Sequence, residues 1–461
     1  MAEIVIVGGG LSGLSLAYRL RQARPGDRIT ILEKGERVGG NIWTERVDGF
    51  QIETGPNGFL DAKSSTLQLC RDLGLGDRLI PASEGSRKNR YLFYNGKLRA
   101  LPNSLGSFVT NRLLSWRGKL NLLLEKYRKR PTDAPADESI HDFAVRRAGR
   151  EVAEVIADAM VTGIHAGDPK RLSVHAAFPR VVQMEREYGS VMRGFTQAGR
   201  AKREAAKARG EEPKPTRMWS FREGLRLMIE ALRDQCGATI ETGVDVTGIN
   251  RGARWQIQAE GDRHWDADAL VLTSPAPVQA ALLATFDPLL SERIAAIEYA
   301  KVAVVVLGFR QADAPGDLDG FGFIAPQATK RDVLGVQWCS SIFPDRAPAG
   351  MVLWRALCGG TARPEMLDWD DARLVGAVRD ELRIAQQVTA EPVLARVIRW
   401  PRAIPQYTLG HLDRVAAIEA AAAKHPGLFL AGNAYHGVAM NDCTEQAERV
   451  AEKVAELVSS S

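Results

Sequence analysis

The chain has 461 residues, 45% hydrophobic and 25% charged, with a formal net charge of only +5. That composition excludes a disordered or fibrous protein and allows two or three lobes around a large buried cofactor. Its 61 basic residues are spread along the chain, so nothing selects nucleic acid as a partner.

The predicted elements begin at once. Glu3 to Val7 reads as a buried strand, and Gly8, Gly10 and Gly13 follow in G-x-G-x-x-G spacing. A helix is predicted from Leu11 to about Ala23, and a second strand, Arg28 to Leu32, delivers Glu33. In such a unit the first glycine allows the tight turn, the second lets backbone N–H groups approach a pyrophosphate, and the third brings the helix onto the sheet. The positive end of the helix faces the phosphates. Glu33 suits a ribose diol and disfavours a 2'-phosphate, so NADP is not expected; Lys34 beside it joins the candidate set. Arg37-Val38-Gly39-Gly40, with Thr44, resembles the R-x-G-G motif of the FAD-dependent amine oxidase superfamily, in which a second glycine pair and a cation lie along the FAD diphosphate. Asn41 stands where that pattern usually carries another arginine.

Further along, the cofactor lobe reads as three separated pieces, 1–89, 218–275 and 407–461, built on a parallel buried sheet. Between them lie 90–217, expected to be helical and basic, and 276–406, rich in β-like runs suited to a mixed sheet. The first insertion carries a proline-rich break at Pro131 to Pro135 and a charged stretch, Arg200 to Lys214, read as a solvated mobile loop. Leu101 to Leu124 mixes Leu, Phe and Trp with Arg112, Arg117 and Lys119. It reads as an amphipathic helix pair packed on its own domain, with a peripheral membrane contact as the alternative. Cys70, Cys236, Cys339, Cys358 and Cys443 are widely spaced with no C-x-x-C, so they read as reduced cytosolic thiols and no metal site is expected. The strand starting at Glu3 leaves no room for a signal or transit peptide, and no uncharged apolar run reaches a membrane span.

Motifs from end to end resemble the oxygen-dependent protoporphyrinogen oxidases. They include Asn89-Arg90-Tyr91-Leu92, Gly163 to Pro169, Phe321 to Ile324, Trp400-Pro401 with Ala403 to Tyr407, and Ala431-Gly432-Asn433 with Asn441-Asp442-Cys443. The coproporphyrinogen oxidases look alike at this level. The resemblance implies an α/β protein: a Rossmann-like FAD-binding domain, a mixed-sheet substrate domain and a helical lobe of membrane-associated type. It implies six-electron oxidation of a porphyrinogen in haem biosynthesis, in three two-electron rounds, with non-covalent FAD as cofactor and O2 as acceptor. The FAD set then also holds Gly55, Pro56, Asn57, Val246, Gly432 and Val438.

For the substrate, Arg90 matches the family's propionate-binding arginine, a solvated arginine at a strand start being the alternative. Gly163 matches the glycine whose backbone faces the macrocycle near the reacting carbon; a plain turn glycine is the alternative. Ile324 and Leu357 match two apolar walls. The third wall falls at Gln337, a polar departure: it contacts a propionate or a pyrrole N–H, or the strand register is shifted by one residue. His165, His411 and His436 lack matching partners and read as structural, so no dedicated acid or base is expected. The resemblance leaves open a homodimer, hand-over of product to a ferrochelatase, and a cytoplasmic location with or without contact at the inner membrane face. Rival readings are a flavin amine oxidase, a carotenoid desaturase, and a flavin-free binding protein like the Rab GDP-dissociation inhibitors.

Overall fold

The computed structural model describes residues 1–128, 135–210, 212, 214–316 and 319–460. Of the predicted proline-rich break only Pro135 falls among them. The chain divides into two compact units: Met1–Pro81 with Met218–Glu298 and Asp413–Ser461, and Ala82–Arg217 with Tyr299–Leu412.

The first unit is built on a five-stranded sheet in the order Thr239–Glu241, Arg28–Leu32, Glu3–Val7, Ala269–Leu272, Leu428–Leu430, with every pair parallel. Ile4, Ile6, Ile31 and Val271 are inaccessible, as near-continuous apolar strands covered on both faces require. The helix Leu11–Ala23 packs Leu14, Leu16, Ala17 and Leu20 into the same core, with Met228, Ile229 and Leu232 from Arg226–Gln235 and Val454 from Met440–Ser460. This unit continues past the expected boundary at 275, because Gln279 ties the helix Ala276–Leu283 back by donating to the carbonyls of Ser274 and Ala431 at 2.6 and 3.0 Å. Residues 407–412 stay in the second unit instead: Tyr407 O accepts from Ser173 N at 2.8 Å, and Leu409 N donates to Arg171 O at 2.9 Å.

The second unit carries a seven-stranded mixed sheet in the order Leu394–Pro405, Tyr299–Arg310, Met351–Gly359, Gly335–Trp338, Gly322–Ile324, Arg90–Tyr94, Lys97–Ala100. The 90–217 stretch is therefore not helical from its start. Its first two segments are strands, and Arg90–Tyr94 extends the sheet by parallel pairing with Gly322–Ile324. One sheet face buries Phe323, Val336, Trp338, Trp354 and Ala356 against Leu374, Val378 and Leu382 of the helix Asp371–Gln386.

The charged stretch from Arg200 also differs from expectation. It continues a helix, Val191–Ala208, whose first turn is capped by Ser190 Oγ accepting from Arg193 N at 3.1 Å. Its Ala, Arg, Lys and Glu are strong helix formers, so the side chains are largely solvated while the backbone is ordered as far as Ala208. Leu101 to Leu124 forms the short helices Leu105–Thr110 and Trp116–Leu123. Among the described residues no helix is long and apolar enough to cross a membrane.

Candidate functional site

In the first unit two glycine turns lie side by side. Gly39 N donates to Gly9 O at 2.7 Å, Gly10 and Gly39 form a parallel bridge, and a Cβ on Gly40 would sit 3.5 Å from Gly10 Cα. Each glycine has a distinct reason to be one. Gly8 turns at φ +113°, and a Cβ on Gly13 would lie 2.0 Å from Gly8 O, so helix and turn touch backbone to backbone. Gly10 is different: its Cβ would meet nothing within 4 Å. The space it leaves is a cradle, empty of protein atoms and bordered by the start of the helix.

Around this cradle stand the other cofactor candidates. Glu33 accepts from Gly9 N at 2.6 Å and from Gly35 N at 2.8 Å, which pins its carboxylate beside the turn. Arg37 lies 4.2 Å from the Trp43 ring, donates to Val38 O at 3.2 Å, and its pKa is lowered by desolvation. The Lys34 ammonium is turned to Asp245 at 2.5 Å. Gly55 packs so closely that a Cβ would be 2.0 Å from Asn41 O, and Pro56 leads to Asn57. Asn57 is 4% exposed, yet both atoms of its amide lack a partner among the described residues. Val246 opens the strand Val246–Arg251, Gly432 turns at φ +117° after Leu428–Leu430, and Val438 is half-buried just before Met440–Ser460. An open glycine cradle, a pinned acid and an orphaned buried amide fit a dinucleotide cofactor. Cys443 is half-buried, and desolvation pushes its thiol up to about 11.

In the second unit strand register brings the substrate candidates onto one face. Leu357 lies opposite Gly335, which lies opposite Ile324, which lies beside Leu92. The adjacent row is Arg355, Gln337, Gly322 and Arg90. Residues directly opposite share a face, as do residues two apart, so Arg90, Ile324, Gln337 and Leu357 all project from the side turned away from the Asp371–Gln386 helix. Gly322 and Gly335, in the middle of that face, pack backbone to backbone on the neighbouring strands: a Cβ would fall 1.9 Å from Val336 O at the first and 2.6 Å from Phe323 O at the second. Arg90 begins its strand with its guanidinium 4.9 Å from the Phe321 ring, and it has no carboxylate partner among the described residues. Desolvation alone lowers its pKa. Gly163, in the helix Asp158–His165, belongs beside this face: a Cβ there would come within 2.7 Å of Ile324 Cδ1.

What holds that helix end was not foreseen. Three successive carbonyls are each taken by a different segment: His165 O by Gln406 Nε2 at 2.9 Å, Ala166 O by Thr361 N at 2.9 Å, and Gly167 O by Gln327 Nε2. Asp158 accepts from Thr162 Oγ1 and Ala328 N, both at 3.1 Å, and burial raises its pKa. These partners lie more than a hundred residues from the helix, except Thr162, and carry no local signal.

Of the three histidines singled out, His411 and His165 sit in ring contacts and His436 in an ion pair. His411 stacks on Tyr407 at 3.9 Å and His436 pairs with Glu419 at 2.7 Å. His165 is 2% exposed, packs edge-on against Phe178, and has no partner for either ring nitrogen among the described residues. Desolvation lowers its pKa to about 4, below the ~6.5 of a free imidazole. The unfolded chain therefore takes the proton first as pH falls. The contribution of this site to stability is complete above pH ~6.5, and roughly 3 kcal/mol of it is lost by pH ~4. Urea unfolding at pH 7 and pH 4.5 is expected to show this acid loss in the wild type and a reduced loss in His165→Phe; equal losses would remove His165 as the cause.

Comparison with known proteins agrees with this geometry. The model of the flavin containing amine oxidoreductase family matches residues 11–455. The chain is 33% identical to protoporphyrinogen oxidase 1, chloroplastic, of Spinacia oleracea, over 99% of this chain and 84% of that protein. It is 29% identical to the coproporphyrinogen III oxidase of Bacillus subtilis (strain 168), over 96% of each. A crystal structure of a putative protoporphyrinogen oxidase from Exiguobacterium sp. 255-15 superposes with a TM-score of 0.84 at 27% identity, covering 99% of both chains. Two turns that cradle a dinucleotide and a relationship that runs the length of the chain lead to one assignment: this protein belongs to the flavin containing amine oxidoreductases, within the group of the protoporphyrinogen and coproporphyrinogen oxidases.

Proposed function

We propose that the protein oxidises a porphyrinogen, protoporphyrinogen or coproporphyrinogen, to the porphyrin in haem biosynthesis, with O2 as the final acceptor. The observation that carries this reading is the sheet face on which Arg90, with no acidic partner among the described residues, shares a cross-strand row with Gly322 and Gln337 and a face with Ile324 and Leu357. FAD, held without a covalent bond in the first unit, supplies two-electron acceptor chemistry when bound. The chain's own residues bind and orient. Arg90 offers a planar fork to a propionate, with two charge-assisted bonds available. Ile324 and Leu357 supply apolar walls, and the Gly163 backbone lies beside Ile324. Removing six electrons takes three rounds on one macrocycle, whose puckered ring becomes flat. A grip on the carboxylate edge tolerates that change of shape, where a residue bonded to each ring would not. Under the same reading Trp116 and Leu120, 70% and 55% exposed, with Arg117 between them, form the peripheral membrane contact.

Anaerobic mixing with each porphyrinogen is expected to bleach the flavin absorbance, and admitting air to restore it while red porphyrin fluorescence grows. Comparing protoporphyrinogen with coproporphyrinogen identifies the substrate. A flavin that stays oxidised with both would overturn the reading.

A further inference from the structure

The function proposed above sets a macrocycle against the sheet face of Arg90, Ile324 and Leu357, and the inference here rests on that function. It concerns the end of the helix Asp158–His165, which Gly163 brings into contact with Ile324. Local preference does not set this end. Ala166, which caps the helix, turns at φ +47°, a left-handed conformation that a residue with a Cβ rarely adopts unless its surroundings impose it. The surroundings here are three tethers, from Gln406 Nε2 to His165 O, from Thr361 N to Ala166 O and from Gln327 Nε2 to Gly167 O. Gln406 directly follows the strand Leu394–Pro405, Thr361 comes two residues after Met351–Gly359, and Gln327 three after Gly322–Ile324. In the sheet each of these strands is separated from the next by one antiparallel strand, so all three run the same way and end at the same edge. The helix end is fastened across that edge. Of the two rows on the substrate face, the one holding Leu357, Gly335 and Ile324 is nearer to it, and the row of Arg90 lies two residues, about 7 Å, further in.

Gln406 is the most buried of the tethers, 2% exposed. Its Nε2 donates to Ile404 O at 3.0 Å as well as to His165 O at 2.9 Å, so the amide joins the helix end to the last residues of a strand. Those two bonds also fix its orientation, because the amide turned over would set Oε1 against two carbonyl oxygens. Oε1 itself accepts nothing among the described residues, and a Cβ on Gly167 would lie 2.3 Å from it. What the side chain contributes is its two donated bonds. We propose that Gln406 is a positioning residue for the oxidation: its amide, with Gln327 as a second strap, holds the Gly163 end of the helix at a fixed height against Ile324. A macrocycle gripped by Arg90 then meets an unmoving border, and its reacting methylene keeps one orientation through all three rounds.

The test uses the FAD-loaded full chain and the variants Gln406→Leu and Gln327→Leu, the second deciding the matter if the first does not fold. Flavin content and thermal midpoint are measured first. Readouts are KM and kcat with the better of the two porphyrinogens, the rate of flavin bleaching on anaerobic mixing at saturating substrate, and hydrogen exchange across residues 158–168. Gln406→Leu is expected to slow bleaching roughly 10- to 100-fold, the scale of a misplacement of about 1 Å, and to speed exchange at the helix end. KM should stay within about twofold of wild type, because Arg90 is untouched. Gln327→Leu, which removes one bond, should act in the same direction and less. A folded, flavin-replete variant that bleaches at the wild-type rate would overturn the assignment whatever its midpoint, since a glutamine that only holds the fold moves the midpoint alone. Unchanged exchange, or a raised KM at unchanged kcat, would overturn it as well. A wild type that bleached with neither porphyrinogen would remove the functional reading and this assignment together, an outcome distinct from an active wild type with indifferent variants.

Discussion

Gly10→Val is expected to give a folded, colourless protein. Gly10 has φ −75° and ψ −174°, an extended conformation open to any residue, and its Cβ would point into space free of protein atoms. Nothing in the fold resists the substitution. What the added side chain fills is the volume in which backbone N–H groups would meet a diphosphate, and losing two such charge-assisted contacts, at about 1.5–3 kcal/mol each, weakens FAD by roughly 10²- to 10⁴-fold. Gly13→Ala is the contrasting case. Its Cβ would fall 2.0 Å from Gly8 O, a backbone atom that cannot step aside, so the helix must leave the sheet. Overpacking of this kind costs about 1–3 kcal/mol in stability before any cofactor is considered. FAD titration and thermal unfolding of apoprotein separate the two. Gly10→Val should match the apo wild type in midpoint and fail in titration, whereas Gly13→Ala should be lowered in both. A Gly10→Val protein that purifies with full flavin would show that the cofactor does not lie against this turn.

The second large effect is expected at Arg90. With no acidic partner among the described residues and the Phe321 ring beside it, its guanidinium contributes little to the fold, and Arg90→Ala should retain FAD and stability close to wild type. A propionate gripped by two charge-assisted bonds is another matter. Losing them costs about 1.5–3 kcal/mol, a rise of roughly 10- to 150-fold in KM for the porphyrinogen. Arg90→Lys should recover part of the loss, because an ammonium supplies charge without the planar fork. Steady-state kinetics with flavin content measured in parallel is the check. An unchanged KM in Arg90→Ala would take Arg90 out of the substrate site.

The parts of the site legible from sequence are those whose logic is local. Strand, glycine turn, helix and acid fall within Glu3 to Glu33, and each constrains the next through backbone geometry that residue type reports directly. The second glycine pair is equally readable, although its hydrogen bond to Gly9 is not. Charge density was a poorer guide. From Arg200 it marked solvated side chains, and helix propensity still ordered the backbone as far as Ala208. Arg90 was placed at a strand start, but its strand pairs with Gly322–Ile324, a partner far along the chain that no local pattern names.

Gln337 shows the division most clearly. Taken alone, the sequence left open whether it faced the substrate or the core, because a shift of one residue reverses a strand's facing. Cross-strand register puts it in line with Arg90 and on the face of Ile324 and Leu357, away from the Asp371–Gln386 helix.

By itself, then, the sequence determined the cofactor cradle and the kind of chemistry, because glycine spacing and a terminal acid act over a few residues. Tertiary structure alone decided which side chains share the floor and what anchors the helix end at His165, Ala166 and Gly167. Those contacts join segments remote in sequence, and their geometry is set by sheet register and packing rather than by the preferences of neighbouring residues.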